Sequence, residues 1–236
     1  MIMAIHRLSA RNAKVVVEAH RRPRGRPKPA AFSLVEAEKG SVVAFEEVFS
    51  RSTIGIVLGA RGTGKSALGL RILENVAPLR RCVAMGFEKS SLPRWIDPVG
   101  SIEDIPQGSC VLIDEGGVLF SSRSSMSDAN KLLSDLILIS RHKDLAIIFI
   151  SQNSSNLEVN VLRQADYLLL KPASLLQLDF ERKIVEKVYR AAKKGFEKHQ
   201  GTPGLTYVYS DAFCGFIAND LPSFWRDELS KQFRKR

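Results

Sequence analysis

Two short stretches of this chain carry residues whose types and spacing can do chemistry. The first is GARGTGKS, Gly59 to Ser66, entered by the apolar run TIGIVL and left by SALGLRILENV. Its spacing is G-x-x-x-x-G-K-S, set between a strand pattern and a helix pattern. Gly59, Gly62 and Gly64 allow backbone angles that turn successive N–H groups inward around a phosphate. The following helix adds the partial positive charge of its N-terminus. Lys65 is placed to reach the β- and γ-phosphates of a nucleoside triphosphate such as ATP, and the Ser66 hydroxyl to ligate Mg²⁺. Ala60, Arg61, Thr63 and Ala67 complete the loop around the phosphates. The second stretch is CVLIDEGG, Cys110 to Gly117. Asp114 falls at the C-terminal tip of an apolar strand, where open α/β sheets bind ligands. An aspartate there can hold the Mg²⁺ water shell. Glu115 follows it directly, and a second carboxylate beside the metal aspartate can orient and deprotonate an attacking water. Gly116 and Gly117 then turn the chain into the serine-rich loop that carries Arg123.

These groups need a rigid scaffold. The chain has 236 residues, 44% hydrophobic and 25% charged, which suits one large domain, or one plus a small appendage. From about Ser33, apolar runs of strand length alternate with amphipathic segments of helix length. That is the pattern of an α/β domain with a mainly parallel central sheet flanked by helices. Strands are expected at TIGIVLG, CVAMGF, CVLIDE, LAIIFIS and DYLLLK, and helices over 64–75, 127–141, 157–164 and 174–198. LTYVYSD and CGFIAN read as a C-terminal β-hairpin, and SFWRDELSKQF as a terminal helix. In the long helix, Leu175, Leu178, Ile184, Val188 and Ala191 trace an apolar stripe. Lys183, Lys187, Arg190 and Lys194 trace a basic face, a candidate surface for nucleic acid or simply a solvated one.

Charge is concentrated at the start. The net charge is +10, and residues 1–30 hold eight arginines and lysines against Glu18 alone. Such a balance favours an acidic partner. HRRPRGRPKP can form neither a helix nor a central strand, because its prolines remove backbone donors and its like charges repel. Residues 20–30 read as a linker, with a short strand at AKVVVEA before it. Arg22 to Lys28 looks like an AT-hook, in which Arg24-Gly25-Arg26 lies in a narrow A·T minor groove while Arg22 and Lys28 contact phosphates. Residues 1–32 are thus expected to be a flexible basic arm, and residues 33–236 the catalytic domain. Cys82, Cys110 and Cys214 lack metal-ligand spacing; Cys82 and Cys110 read as core residues in a reducing, cytoplasmic setting. No apolar run reaches the ~18–20 residues of a membrane span.

The same motifs sort the phosphate-loop proteins. A nucleoside kinase seldom needs a general-base glutamate beside the metal aspartate. A GTPase needs a motif such as N-K-x-D, and a transporter ATPase a Ser-Gly-Gly signature; neither occurs. The remaining class resembles the RecA-like P-loop NTPases with an additional catalytic glutamate. That resemblance implies an extra strand, LAIIFIS, between the phosphate-loop strand and the Asp114 strand. Gln152 at its tip would then sense the γ-phosphate or the attacking water. Arg141, a strand's length away, could serve only a neighbouring subunit's nucleotide, and would otherwise be a solvated cation at a helix end.

A phosphate loop, an apolar strand ending in Asp-Glu, and Arg141 followed eleven positions later by Gln152 together resemble the HerA–FtsK superfamily of ring-forming DNA-pumping ATPases. The resemblance covers roughly Thr53 to Lys171. Within it, the small size is similar to genome-packaging ATPases of archaeal and membrane-containing double-stranded DNA viruses. It implies a homo-oligomeric ring, a hexamer or pentamer, that threads duplex DNA in the host cytoplasm, with a capsid vertex as a further partner. Arg123 would be a DNA contact in the pore. Two other functions remain open: a membrane-associated phage-assembly ATPase of the zonula-occludens-toxin-like group, and a non-motor switch in which ATP sets DNA affinity.

Overall fold

The runs 53–58, 109–114 and 146–150 are buried at every position. Only a strand covered on both faces meets that condition, and a parallel sheet between two helical layers provides it. The computed structural model describes residues 22–114 and 126–226. The strand expected at AKVVVEA, Glu115, Arg123 and most of the expected terminal helix lie outside the described residues; residues 223–226 are not helical.

In chain order the elements are β1 (Ser33–Gly40), α1 (Val42–Glu46), β2 (Thr53–Leu58), α2 (Lys65–Val76), β3 (Arg81–Met85), β4 (Ile96–Pro98) and β5 (Ser109–Asp114). From residue 126 onward come α3 (Met126–Ser140), β6 (Ala146–Ile150), α4 (Val159–Arg163), β7 (Tyr167–Leu170), α5 (Leu175–Asp179), α6 (Lys183–Lys198), β8 (Thr206–Ser210) and β9 (Phe213–Ala218). The described strands form one nine-stranded sheet in the order β1-β9-β8-β7-β2-β6-β5-β3-β4. Pairing is parallel from β7 through β4 and antiparallel from β7 out to β1. β6 does lie between β2 and β5, as expected for LAIIFIS.

Side-chain alternation along each strand divides the core in two. Val57, Leu112 and Ile148 face α1 and α2, packing on Phe45, Leu68 and Ile72. Ile56, Val111 and Ile147 face α3, α4 and α6, packing on Leu136, Val161 and Val185. Cys82 and Cys110 are buried register partners on β3 and β5, and burial pushes the Cys110 thiol up to about 12, which keeps it protonated and inert. Among the described residues, no helix is long and apolar enough to cross a membrane.

Three details differ from the expectations. The helix over 174–198 is two helices, α5 and α6, broken at residues 180–182. The break has a cause: Glu181 is buried and accepts the Ser154 N–H at 2.8 Å, while the Arg182 N–H turns to Ser154 Oγ at 2.8 Å instead of continuing the ladder. The break also shifts the buried stripe of α6 to Val185, Val188, Tyr189 and Ala192, leaving Ile184 61% exposed. Finally, α1, β4 and β1 have no counterpart among the expected elements, β1 being the longest of them. It is an exposed, charged edge strand whose partner β9 lies far along the chain, so its own residues carry little strand signal.

β2 approaches its neighbour closely at one point. A Cβ on Gly55 would lie 1.9 Å from the Tyr167 ring. That ring cannot retreat, because Phe45 and Phe49 meet it edge-on at 5.7 and 5.5 Å. Gly55→Ala is therefore expected to destabilise the fold by about 1–3 kcal/mol or more, read as a lower urea midpoint.

Candidate nucleotide site

The buried strand β2 ends at Leu58, and Gly59 turns out of it with φ 144°. A side chain at Gly59 would meet Lys171 Cβ at 2.6 Å, so the loop leaves the sheet directly over the end of β7. The Ala60 N–H continues the contact to Pro172 O at 3.0 Å. Thr63 Oγ1 donates to Ala60 O at 2.7 Å and closes the loop on itself. Gly64 has φ 89° and caps α2 in open space, so only its backbone conformation demands glycine. Lys65 is buried, and its Nζ donates to Gly59 O at 2.6 Å and Ala60 O at 3.0 Å. Arg61 and Gly62 are exposed at the loop's rim, and Ala67 is buried beneath it.

Ser66 Oγ donates to Asp114 Oδ2 at 2.9 Å, joining the first turn of α2 to the tip of β5 across 48 residues. A hydroxyl and a carboxylate in contact are the hard oxygen donors that Mg²⁺ selects, so these two residues fit that ion. Register then orders the strand tips. Ile150 of β6 pairs with Val57 of β2 on one side and with Asp114 of β5 on the other. The Ser151 N–H reaches Val57 O at 3.0 Å, and exposed Gln152 comes next. With strands roughly 4.8 Å apart, the phosphate loop, Gln152 and the Ser66–Asp114 pair share one edge of the sheet.

Arg141 does not join them. It lies in the turn before β6, exposed, at the opposite end of a five-residue strand. That strand spans roughly 16 Å. Arg80 fastens this turn by donating to Asp144 and to Gly108 O, the latter at 3.1 Å.

Two groups at the site carried no signal in the sequence. Gln177 Nε2 donates to Gln152 O at 2.5 Å and to Glu181 Oε1 at 3.3 Å, so the second residue after β6 is held by α5 and the break before α6. Lys171 ends the apolar run DYLLLK and is 1% exposed. Its Nζ donates to Gly204 O at 2.7 Å, Tyr189 OH donates to its carbonyl at 3.2 Å, and burial lowers the amine to about 7.

The basic segment before β1 is not a free arm where it is described. Arg22 donates to Leu92 O at 3.3 Å, to Pro93 O at 2.7 Å and to Ile96 O, so its guanidinium is spent on the body instead of a phosphate. The N–H groups of Lys28, Ala30 and Phe32 donate in turn to the side chains of Glu74, Asn75 and Glu46, at 3.0, 3.0 and 2.9 Å. Every second residue of an extended chain points inward. The prolines exclude a strand, but alternate donors still find side-chain acceptors. The boundary expected at residue 32 therefore does not separate 22–32 from the domain. Arg24, Gly25, Arg26 and Lys28 remain exposed, as do Lys183, Lys187, Arg190 and Lys194 on α6, with Arg190 donating to Glu186 at 2.7 Å.

No family model matches the chain, and no curated protein matches it. Solved structures do. The chain is similar to the genome packaging NTPase B204 from Sulfolobus turreted icosahedral virus 2, at 15% identity and TM-score 0.48, over 72% of this chain and 96% of that one. It is also similar to EssC (ATPases 2 and 3) from Geobacillus thermodenitrificans, at 10% identity and TM-score 0.48, over 92% of this chain and 51% of that one. The pCW3 conjugation coupling protein TcpA is a third, at 11% identity and TM-score 0.48, over 79% and 65%.

Lys171 generates a pH prediction. Its amine lies at about 7 in the folded protein against an ordinary 10.5. Between those values the unfolded chain holds a proton that the folded chain lacks, so this group makes stability rise with pH across that window and stay level below it. Lys171→Met should remove that rise in urea midpoints measured at pH 7 and above. An unchanged slope would show that the buried amine stays charged.

Proposed function

We propose that the chain is an ATP-driven translocase of double-stranded DNA, a genome-packaging motor of the HerA–FtsK kind. The observation that carries the proposal is the strand order β2-β6-β5, with Val57, Ile150 and Asp114 in one row. It supports a site in which a third strand delivers a polar side chain between a phosphate loop and a metal aspartate.

In this reading the loop Gly59–Ala67 wraps the phosphates through its N–H groups, and Lys65 leaves its carbonyl partners for the β- and γ-phosphate oxygens. Ser66 and Asp114 would hold Mg²⁺, which supplies charge neutralisation on the triphosphate. Glu115 follows Asp114 in the chain and takes the proton of the attacking water. Gln152 hydrogen-bonds the γ-phosphate or that water. The products are ADP and phosphate. Arg141, exposed at the far end of β6, serves the nucleotide of the next subunit in a hexameric or pentameric ring. Arg123 and the exposed basic face of α6 are the DNA contacts, acting on phosphates without sequence preference.

ATPase rates with and without duplex DNA test the catalytic assignments. Lys65→Ala should abolish nucleotide binding. Glu115→Gln should keep ATP binding and lose DNA-stimulated turnover by about 10²–10⁴-fold. Gln152→Ala should lower kcat more than it raises KM. Stimulated hydrolysis that survives Glu115→Gln would remove the proposed base.

The trans arginine has a separate test. Arg141→Ala and Glu115→Gln subunits, each inactive alone, should partly recover ATPase activity when mixed. Mixtures as inactive as their components would count against a shared site.

A further inference from the structure

At the far end of α2 from the phosphate loop, two distant parts of the chain form a cleft of about 270 Å³. One wall is the run Pro23–Lys28, from which Arg24, Arg26 and Lys28 are exposed. The other wall is aromatic. Trp95, Phe224 and Trp225 are half-buried, their inner sides packed on the core, and Trp95 meets Phe224 edge-on at 5.4 Å. Exposed Arg226 adds a further cation at the rim.

One buried ion pair ties the basic wall to the segment that leads into Phe224 and Trp225. Arg71 donates to Glu74 at 2.8 Å, with the two side chains 5% and 0% exposed. Glu74 also accepts the N–H groups of Lys28 and Ser223 at 3.0 and 2.9 Å. Arg71 donates in addition to the carbonyls of Lys28, Asp220 and Leu221. Arg22 pins the start of the basic wall. A cleft held in this way keeps its shape without a ligand, which lowers the entropy cost of binding.

We propose that this cleft binds single-stranded nucleic acid, taking one unpaired base against the tryptophans while the arginines and Lys28 follow the flanking phosphates. Cations beside aromatic faces are the combination that single strands require, since every base has a face to stack and every linkage a charge. A cleft of about 270 Å³ has room for one base, and a base inside a duplex could enter it only by leaving its stack and its partner. Insertion of Arg24-Gly25-Arg26 into a minor groove would need that unit to project alone. Here an aromatic wall faces it, and both of its flanks are fastened. From Lys65 to Glu74 is about 14 Å of helix, so the proposal stands independently of the nucleotide site.

The chain's two tryptophans both line this cleft, so intrinsic fluorescence reports on it directly. Full-length protein without nucleotide is titrated with an oligothymidylate of roughly 12 residues, with the corresponding A·T duplex and with heparin. The single strand should quench the tryptophans, and the duplex and heparin should not. Trp225→Ala should weaken oligonucleotide binding at least fivefold by anisotropy, and Trp225→Phe should restore most of it. Arg24→Ala with Arg26→Ala should flatten its salt dependence. Equal quenching by duplex or heparin would overturn the proposal, as would oligothymidylate binding that leaves the tryptophans unquenched. Retained ATP binding in each variant separates loss of the cleft from loss of the fold. Should Trp225→Ala not fold, the wild-type titrations and the arginine variant decide the matter alone.

Discussion

The parallel register of β2, β6 and β5 is the constraint on which the site depends. Each strand is buried at every described position, so a slip by one residue would exchange the two faces of the core and place apolar side chains against the wrong helical layer. The register that satisfies both layers also sets Val57, Ile150 and Asp114 side by side. The phosphate loop, the residue after β6 and the carboxylate of β5 therefore arrive at one edge together. The packing requirement and the chemical requirement have the same solution.

Helix α2 joins that edge to the rest of the molecule. Its first turn supplies Lys65 and Ser66, and its C-terminal half supplies the Arg71–Glu74 pair that gathers residues 28 and 220–223. A buried ion pair adds little by itself over apolar packing, but removing one partner leaves an uncompensated charge in the core. Here the pair's other bonds go to main-chain groups and the Ser223 hydroxyl, from two distant segments. A segment that composition marks as a solvated linker thereby becomes part of the domain, and a loop after the last strand is carried to the same place.

Strand β6 shows how far local pattern reaches. LAIIFIS is legible as a buried strand from its apolar run, and its place between two others was expected from a family resemblance; the sheet order agrees. The helix after β7 shows the limit. Its apolar residues fit a continuous period, yet Glu181 and Arg182 bond to Ser154, and those bonds break the helix and shift its buried face. Lys171 is a second case: its burial depends on Gly59, Tyr189 and Gly204, none of which is near it in sequence. Arg22 is a third, since three carbonyl oxygens of residues 92–96 decide that its charge faces inward.

The sequence by itself determined the phosphate-loop motif, the aspartate at the tip of an apolar strand and the α/β alternation, because these rest on backbone angles, residue types and spacings within a few positions of one another. Only the tertiary structure decided where the helix after β7 breaks, which lysine loses its water, and that the basic segment forms a cleft with Trp95 and Trp225. Those outcomes hang on contacts across long separations, such as the 46 residues between Lys28 and Glu74 and the 149 between Glu74 and Ser223. Hydrogen-bond satisfaction in a buried site is a property of the assembled neighbourhood. No local window of the chain contains the partners that decide it.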